Sequence, residues 1–152
     1  MDTYYIDGKF VQENMAQIPA QDITVLRGFG VFDFFITYNK RPFFIKEHVA
    51  RLENSARQIG LTLSHSNAEI CDIVVQTIEK NPHHTESNVR IVYTGGISLD
   101  GVTPQDNGIL MVMATPKHEL PAWWYTNGAK IITIDIERFI PTCKSTNYLS
   151  AV

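Results

Sequence analysis

The spacing of apolar residues changes period twice along this chain, and no other feature narrows the fold as much. Between Lys46 and Ile59, the residues Val49, Leu52, Ala56 and Ile59 recur at helical spacing, and Gly60 ends the run. A second helix is expected from Ser66, where Ser66-x-x-Glu69 has the form of a capping box. Ile70, Ile73, Val74, Thr77 and Ile78 then recur at helical spacing until Asn81-Pro82 stops them. On either side of this pair the period falls to two, as it does in strands.

Before the helices, Thr3–Ile6 and Lys9–Val11 flank Asp7-Gly8, a pair suited to a two-residue hairpin turn whose central positions need positive φ. Residues 14–28 read as loop with a short turn of helix. Val31 to Tyr38 is aromatic and β-branched and reads as a strand. Asn39-Lys40-Arg41-Pro42 turns it, so that Phe43-Phe44-Ile45 can pair back. After the helices, Val89 to Thr94 reads as a strand closed by Gly95-Gly96. Gly108 to Thr115 is nearly all apolar and is expected to be a strand buried on both faces. Pro116 to Asn127, with Trp123 and Trp124, reads as a domain connection. Lys130 to Glu137 reads as a strand with Ile132, Ile134 and Ile136 on one face, broken by Pro141. Ser145 or Thr146 is placed to cap a new helix. That helix is cut at Val152 after at most two turns, below what is stable alone.

The expected class is therefore α+β: a small N-terminal domain, residues 1–116, with an antiparallel sheet covered on one face by two helices. Residues 117–152 are expected to be a linker and the truncated start of a larger domain. The chain has 152 residues, 44% hydrophobic and 19% charged, with a net charge of -3. That suits a folded core and offers no basic footprint for nucleic acid. The longest apolar run, Ile109–Ala114, is far too short to cross a membrane, which takes about 20 residues. The first residues lack the form of a secretory signal, and the two cysteines, Cys71 and Cys143, form no CxxC, so a reducing, cytoplasmic setting is expected.

Four stretches hold residues able to do chemistry. Lys144 lies between an expected strand end and a helix start, where a lysine amine can reach a cleft and form a Schiff base. Taken alone, a solvated loop lysine is the simpler reading. His48, Arg51 and Ser55 share one face of the first helix, and an arginine fork matches phosphate well. A surface helix with ordinary ion pairs explains the same residues. Arg27-Gly28-Phe29-Gly30-Val31-Phe32-Asp33 allows tight backbone beside a strand, with Phe32 and Asp33 on opposite faces. In Asn88–Thr94, Asn88, Arg90 and Val92 share one face, and Arg90 suits either a substrate carboxylate or the surface. His83-His84 comes after Pro82 in a polar loop with no second ligand cluster near it in sequence. It is read as loop, with no metal site expected.

The order of these stretches resembles the fold type IV pyridoxal-phosphate enzymes, the class IV aminotransferases: branched-chain and D-amino acid aminotransferases and aminodeoxychorismate lyase. YYIDGKFV (residues 4–11) resembles their opening hairpin. RGFGVFDFF is similar to their RGxGVFE segment, with Asp33 where glutamate is usual. FIKEHVARLENSA resembles their F-x-x-x-H-x-x-RL-x-x-SA helix. VRIVYTGG resembles the strand bearing a substrate-side arginine, and KSTNYL resembles the Schiff-base lysine with the helix after it.

The resemblance implies roles one residue at a time. Lys144 would hold pyridoxal 5'-phosphate and move a proton between substrate and cofactor. Arg51 would bind the cofactor phosphate. Tyr148 would hydrogen-bond the cofactor ring oxygen, at a spacing one residue short of the branched-chain pattern. Phe32 and Arg90 would line the substrate pocket. The arginine and histidine that the D-amino acid type places after the strand have no counterpart at Gly95-Gly96, which favours branched-chain-like substrates. The implied activity is transfer of an amino group between an amino acid and a 2-oxo acid, in a full-length homodimer. Two alternatives stay open: a lyase releasing pyruvate from aminodeoxychorismate on the same scaffold, and an inactive fragment acting only as a folded domain.

Overall fold

A computed structural model describes residues 1–149. Its centre is a six-stranded, wholly antiparallel sheet in the order β2-β1-β6-β5-β3-β4. The strands are β1 (Thr3–Ile6), β2 (Lys9–Gln12), β3 (Gly30–Tyr38), β4 (Arg41–Pro42), β5 (Ser87–Thr94) and β6 (Leu110–Pro116). The helices are α1 (Ile23–Arg27), α2 (Ile45–Gln58), α3 (Asn67–Glu79) and α4 (Trp123–Asn127).

The expected hairpin forms at Asp7-Gly8, with φ of 45° and 86° and Ile6 paired to Lys9. The next turn is tighter than its four polar residues suggest. Asn39 and Lys40 alone make it, both at positive φ, and Arg41-Pro42 already pairs with Tyr38 and Thr37. Phe43 then gives one backbone hydrogen bond to Ile36, while Phe44 turns left-handed and starts α2.

Both long helices cover one face of the sheet. Val49, Leu52 and Ala56 of α2, with Ile70, Ile73, Val74 and Ile78 of α3, pack on Val31, Phe35, Val89, Ile91, Leu110, Val112 and Ala114. The α3 stripe is the one its spacing predicts, and the Ser66–Glu69 capping box is closed in both directions. β6 departs from expectation. Only its alternate residues Leu110, Val112 and Ala114 are buried, while Met111 and Met113 are half-exposed on the uncovered face. An apolar run records hydrophobicity but cannot say whether a second layer covers it.

A further expectation fails for want of a neighbouring strand edge. Lys130–Glu137 forms no strand among the described residues, and Ile131, Ile132 and Ile134 are 83%, 80% and 68% exposed. A strand needs a neighbour's backbone, and here none is beside it. Ser145 does not cap a helix. It pairs with Val31 instead, since residues 144–146 meet an edge of β3 that β4 leaves open. Residues 150–152, the end of that expected helix, lie outside the described part.

Candidate active site

The site grows from the start of β3. Asp22 caps α1 by accepting a hydrogen bond from Thr24 N, and Gly28 ends the helix in the left-handed region at φ 66°. That turn aims the chain into β3. Strand alternation then sends Phe32 to the uncovered face and Asp33 beneath α2. Gly95, at the far end of β5, packs against Phe29 O and Ile23, where a side chain would have no space.

Asp33 is fully buried and joins sheet to helix. Arg51 donates to it through Nε at 2.7 Å and Nη2 at 2.8 Å, His48 Nδ1 lies 2.8 Å away, and Phe34 N donates at 2.7 Å. The hydrogen bond to Asp33 raises the Arg51 pKa against its partial desolvation. The Arg51 side chain is still 49% exposed, and its Nη1 has no hydrogen-bond partner among the described residues. One edge of the fork is therefore engaged and the other faces outward.

One turn further along α2, buried Ser55 connects this cluster to the lysine segment. Its hydroxyl donates to Arg51 O at 2.8 Å and accepts from Lys144 N at 3.1 Å. Lys144 O accepts from Phe32 N at 3.0 Å, and Thr146 N donates to Gly30 O at 2.9 Å. Residues 144–146 thus pair with the start of β3, and the side chains of 143–148 fall alternately on its two sides. Cys143 turns into the core, where burial pushes its thiol up against the opposing charge of Arg138, so it stays a protonated packing group. Lys144, Thr146 and Tyr148 turn to the other side.

There they line a cleft of about 420 Å³ with Phe32, Phe34, Arg90 and Val92. Lys144 Nζ is 4.4 Å from the Phe32 ring centre and 5.5 Å from that of Tyr148. The two rings meet edge to face at 5.3 Å. The Arg90 guanidinium lies over Phe32 and Phe34 at 6.0 and 5.7 Å. Among the described residues Lys144 Nζ has no carboxylate within ion-pair distance. A larger cleft of about 630 Å³ lies on the other side of the segment, lined by Cys143, Ser145 and Asn147, and holds no lysine. Chemistry favours the smaller one: a primary amine, a cation able to meet a carboxylate, and apolar walls share it.

Of the five residues singled out from sequence, Lys144, Phe32, Arg90 and Tyr148 come together. Arg51 does not line their cleft; among the described residues its backbone is linked to that of Lys144 through the Ser55 hydroxyl. Phe34, Val92 and Thr146 were not singled out. Phe34 and Val92 sit two residues from Phe32 and Arg90, so strand alternation could have found them.

Fold and cleft together define a class: an α+β unit that presents a lysine amine beside an arginine at the edge of its sheet. Residues 30–152 match the family model for amino-transferase class IV. A putative branched-chain-amino-acid aminotransferase of Methanocaldococcus jannaschii is 31% identical over 155 residues, covering 97% of this chain and 52% of the relative. A D-alanine aminotransferase of Staphylococcus epidermidis is 26% identical, covering all of this chain and 55% of the relative. Among solved structures, a branched-chain aminotransferase of Thermoproteus uzoniensis, crystallised with norvaline, superposes with a TM-score of 0.69 at 26% identity, over 78% of this chain and 41% of that one. The chain belongs to the class IV aminotransferase family, and it spans about half the length of the curated relatives it matches.

Proposed function

We propose that this chain is the N-terminal part of a pyridoxal-phosphate-dependent aminotransferase acting between an amino acid and a 2-oxo acid. The observation that carries this reading is Lys144: an amine with no ion-pair partner among the described residues, in a cleft with Phe32, Tyr148 and Arg90. Residues 1–116 would form the small domain, and 117–152 would begin the cofactor domain.

The residues present fit the cofactor. Lys144 would hold its aldehyde carbon and Tyr148 would contact its ring; Arg51, outside their cleft, would have to turn its outward edge to the phosphate. When bound, the cofactor supplies the electron sink that lets an α-proton leave an amino acid. The chain supplies the rest. The Lys144 amine would serve as the base that holds and moves a proton at the substrate α-carbon. The rings of Phe32 and Tyr148 flank that amine at 4.4 and 5.5 Å. Arg90 would pair with a substrate carboxylate, because a guanidinium matches a carboxylate in two parallel hydrogen bonds. Phe32, Phe34 and Val92 form an apolar wall suited to an aliphatic side chain, which favours branched-chain over small D-amino acid substrates. The glycines at 95 and 96 add no side-chain contact there.

The full-length protein mixed with pyridoxal phosphate should develop a visible absorbance band. Borohydride should fix the cofactor onto the peptide containing Lys144. A branched-chain amino acid and a 2-oxo acid should then exchange amino groups, and Lys144→Ala should abolish both band and exchange. Equal behaviour of wild type and Lys144→Ala would rule the reading out. Pyruvate release from aminodeoxychorismate without sustained amino exchange would move the assignment to a lyase.

A further inference from the structure

We propose that Asp2, His83 and His84 form a binding site for one divalent transition-metal ion of the zinc class, bolting the N-terminal strand to the loop between α3 and β5. The site lies at the end of β5 opposite the lysine cleft, beside Ser87 and away from Val92.

The fold creates this cluster from groups about eighty positions apart. Asn81 is buried and holds β1 as a strand partner would: its Oδ1 accepts from Thr3 N and its Nδ2 donates to Thr3 O, each at 2.8 Å. That clamp fixes Asp2 over the loop after Pro82. His83 Nε2 and His84 Nε2 then converge on the same carboxylate oxygen, Asp2 Oδ1, at 3.0 and 2.9 Å. Neighbouring side chains in an extended chain diverge. Here the turn closed by His84 N to Asn81 O brings both rings to one side, edge to face at 4.4 Å. The three donor atoms all lie within 4.8 Å of one another.

Two imidazole nitrogens and one carboxylate oxygen are the donor set that zinc-class ions take, at roughly 2.0–2.2 Å each. Tetrahedral ligands at that range stand about 3.3–3.5 Å apart, so an ion needs each histidine–carboxylate separation to open by a few tenths of an ångström, while the two histidine nitrogens, within 4.8 Å of each other, turn toward it. The outer contacts suit both states. His84 Nδ1 is 3.1 Å from Ser87 Oγ, a hydroxyl able to donate or accept. When Oγ accepts the Nδ1 proton, the Nε2 lone pair is free to ligate, the arrangement that orients metal-bound histidines. Asp2 and His84 are nearly buried, whereas the His83 side chain is 51% exposed, which leaves the fourth position open to water on that side.

The test uses the intact protein without any histidine tag, dialysed against chelator and then titrated with CoCl2 or ZnCl2 alone. About one ion per chain should bind, with cobalt giving visible ligand-field bands that zinc abolishes. The melting temperature should rise with zinc, because an ion that binds only the folded chain stabilises it. His83→Gln, at the exposed ligand, should keep the wild-type circular dichroism spectrum and weaken binding about ten-fold or more, and Asp2→Asn should do the same. His118→Gln, outside the cluster, should bind like wild type. Should His83→Gln misfold, Asp2→Asn decides. No metal retained by folded wild type, or equal binding by His83→Gln and Asp2→Asn to that of wild type, overturns the proposal.

Discussion

Asp33 is the residue on which the helix-covered side of the site depends. It has no exposure and is met by Arg51, His48 and the Phe34 amide. A buried carboxylate is costly unless it is paired and hydrogen-bonded, and here both oxygens are, Oδ1 with three neighbours and Oδ2 with Arg51 Nε. Asp33→Asn keeps the shape but removes the charge and reverses one hydrogen-bond role. It should cost about 1.5–3 kcal/mol, the usual worth of hydrogen bonds to a charged group. Urea denaturation of the two proteins at neutral pH measures this; an unchanged midpoint would mean that Arg51 and His48 contribute nothing through Asp33. Helical spacing placed His48, Arg51 and Ser55 on one face correctly, but it carried no sign that Asp33 was their common partner.

Among the elements, α3 shows how far local chemistry reaches. Ser66 and Glu69 cap each other, with Ser66 N donating to Glu69 Oε2 at 2.7 Å and Glu69 N to Ser66 Oγ at 3.3 Å. Ser66→Ala should therefore destabilise the protein by about 0.5–2 kcal/mol, nearer the lower end because the pair is exposed. A thermal melt against wild type reads it, and a melting temperature that does not fall would contradict the capping account. The segment 143–148 is the opposite case. Its composition suits a strand end and a helix cap equally, and the choice is made by the open edge of β3, which offers carbonyls and amides to whatever lies beside it. Lys130–Glu137 carries a strand pattern and finds no such edge, so the same pattern yields no strand among the described residues.

Over the whole molecule, hydrogen-bonded carboxylates tie distant parts together. Glu86 accepts from Thr37 Oγ1 and from the amides of Asn39 and Lys40, holding the β3–β4 turn against the start of β5. Its pKa is lowered, chiefly by Thr37, as is that of Glu69 by Ser66 and that of Asp100 by Thr103. A carboxyl whose folded pKa is depressed contributes stability above its unfolded value and loses it as pH falls through the folded value. The unfolded values are near 3.8 for Asp and 4.5 for Glu. Urea midpoints should accordingly hold steady through these groups above about pH 5 and drop from about pH 4.5 downward. A midpoint that rises on acidification would contradict the sign. The sheet order β2-β1-β6-β5-β3-β4 brings the first residues beside the His83-His84 loop and Lys144 and Tyr148 beside Phe32, at opposite strand ends.

The order of amino acids dictated whatever depends on near neighbours: two helices and their buried stripes, the Asp7-Gly8 hairpin, the capping box, and the alternation that turns Phe32 and Asp33 apart. Each of these is a pattern of residues within one or two turns, set by backbone geometry and side-chain reach. Packing of the whole chain was needed to show that Lys144 shares a cleft with Arg90, that Asp33 engages Arg51, that β6 is covered on one side, and that Asp2 meets two histidines. Those contacts depend on strand register and on which edges stay open. They are settled by burial and backbone pairing across the whole chain, and no local spacing encodes them.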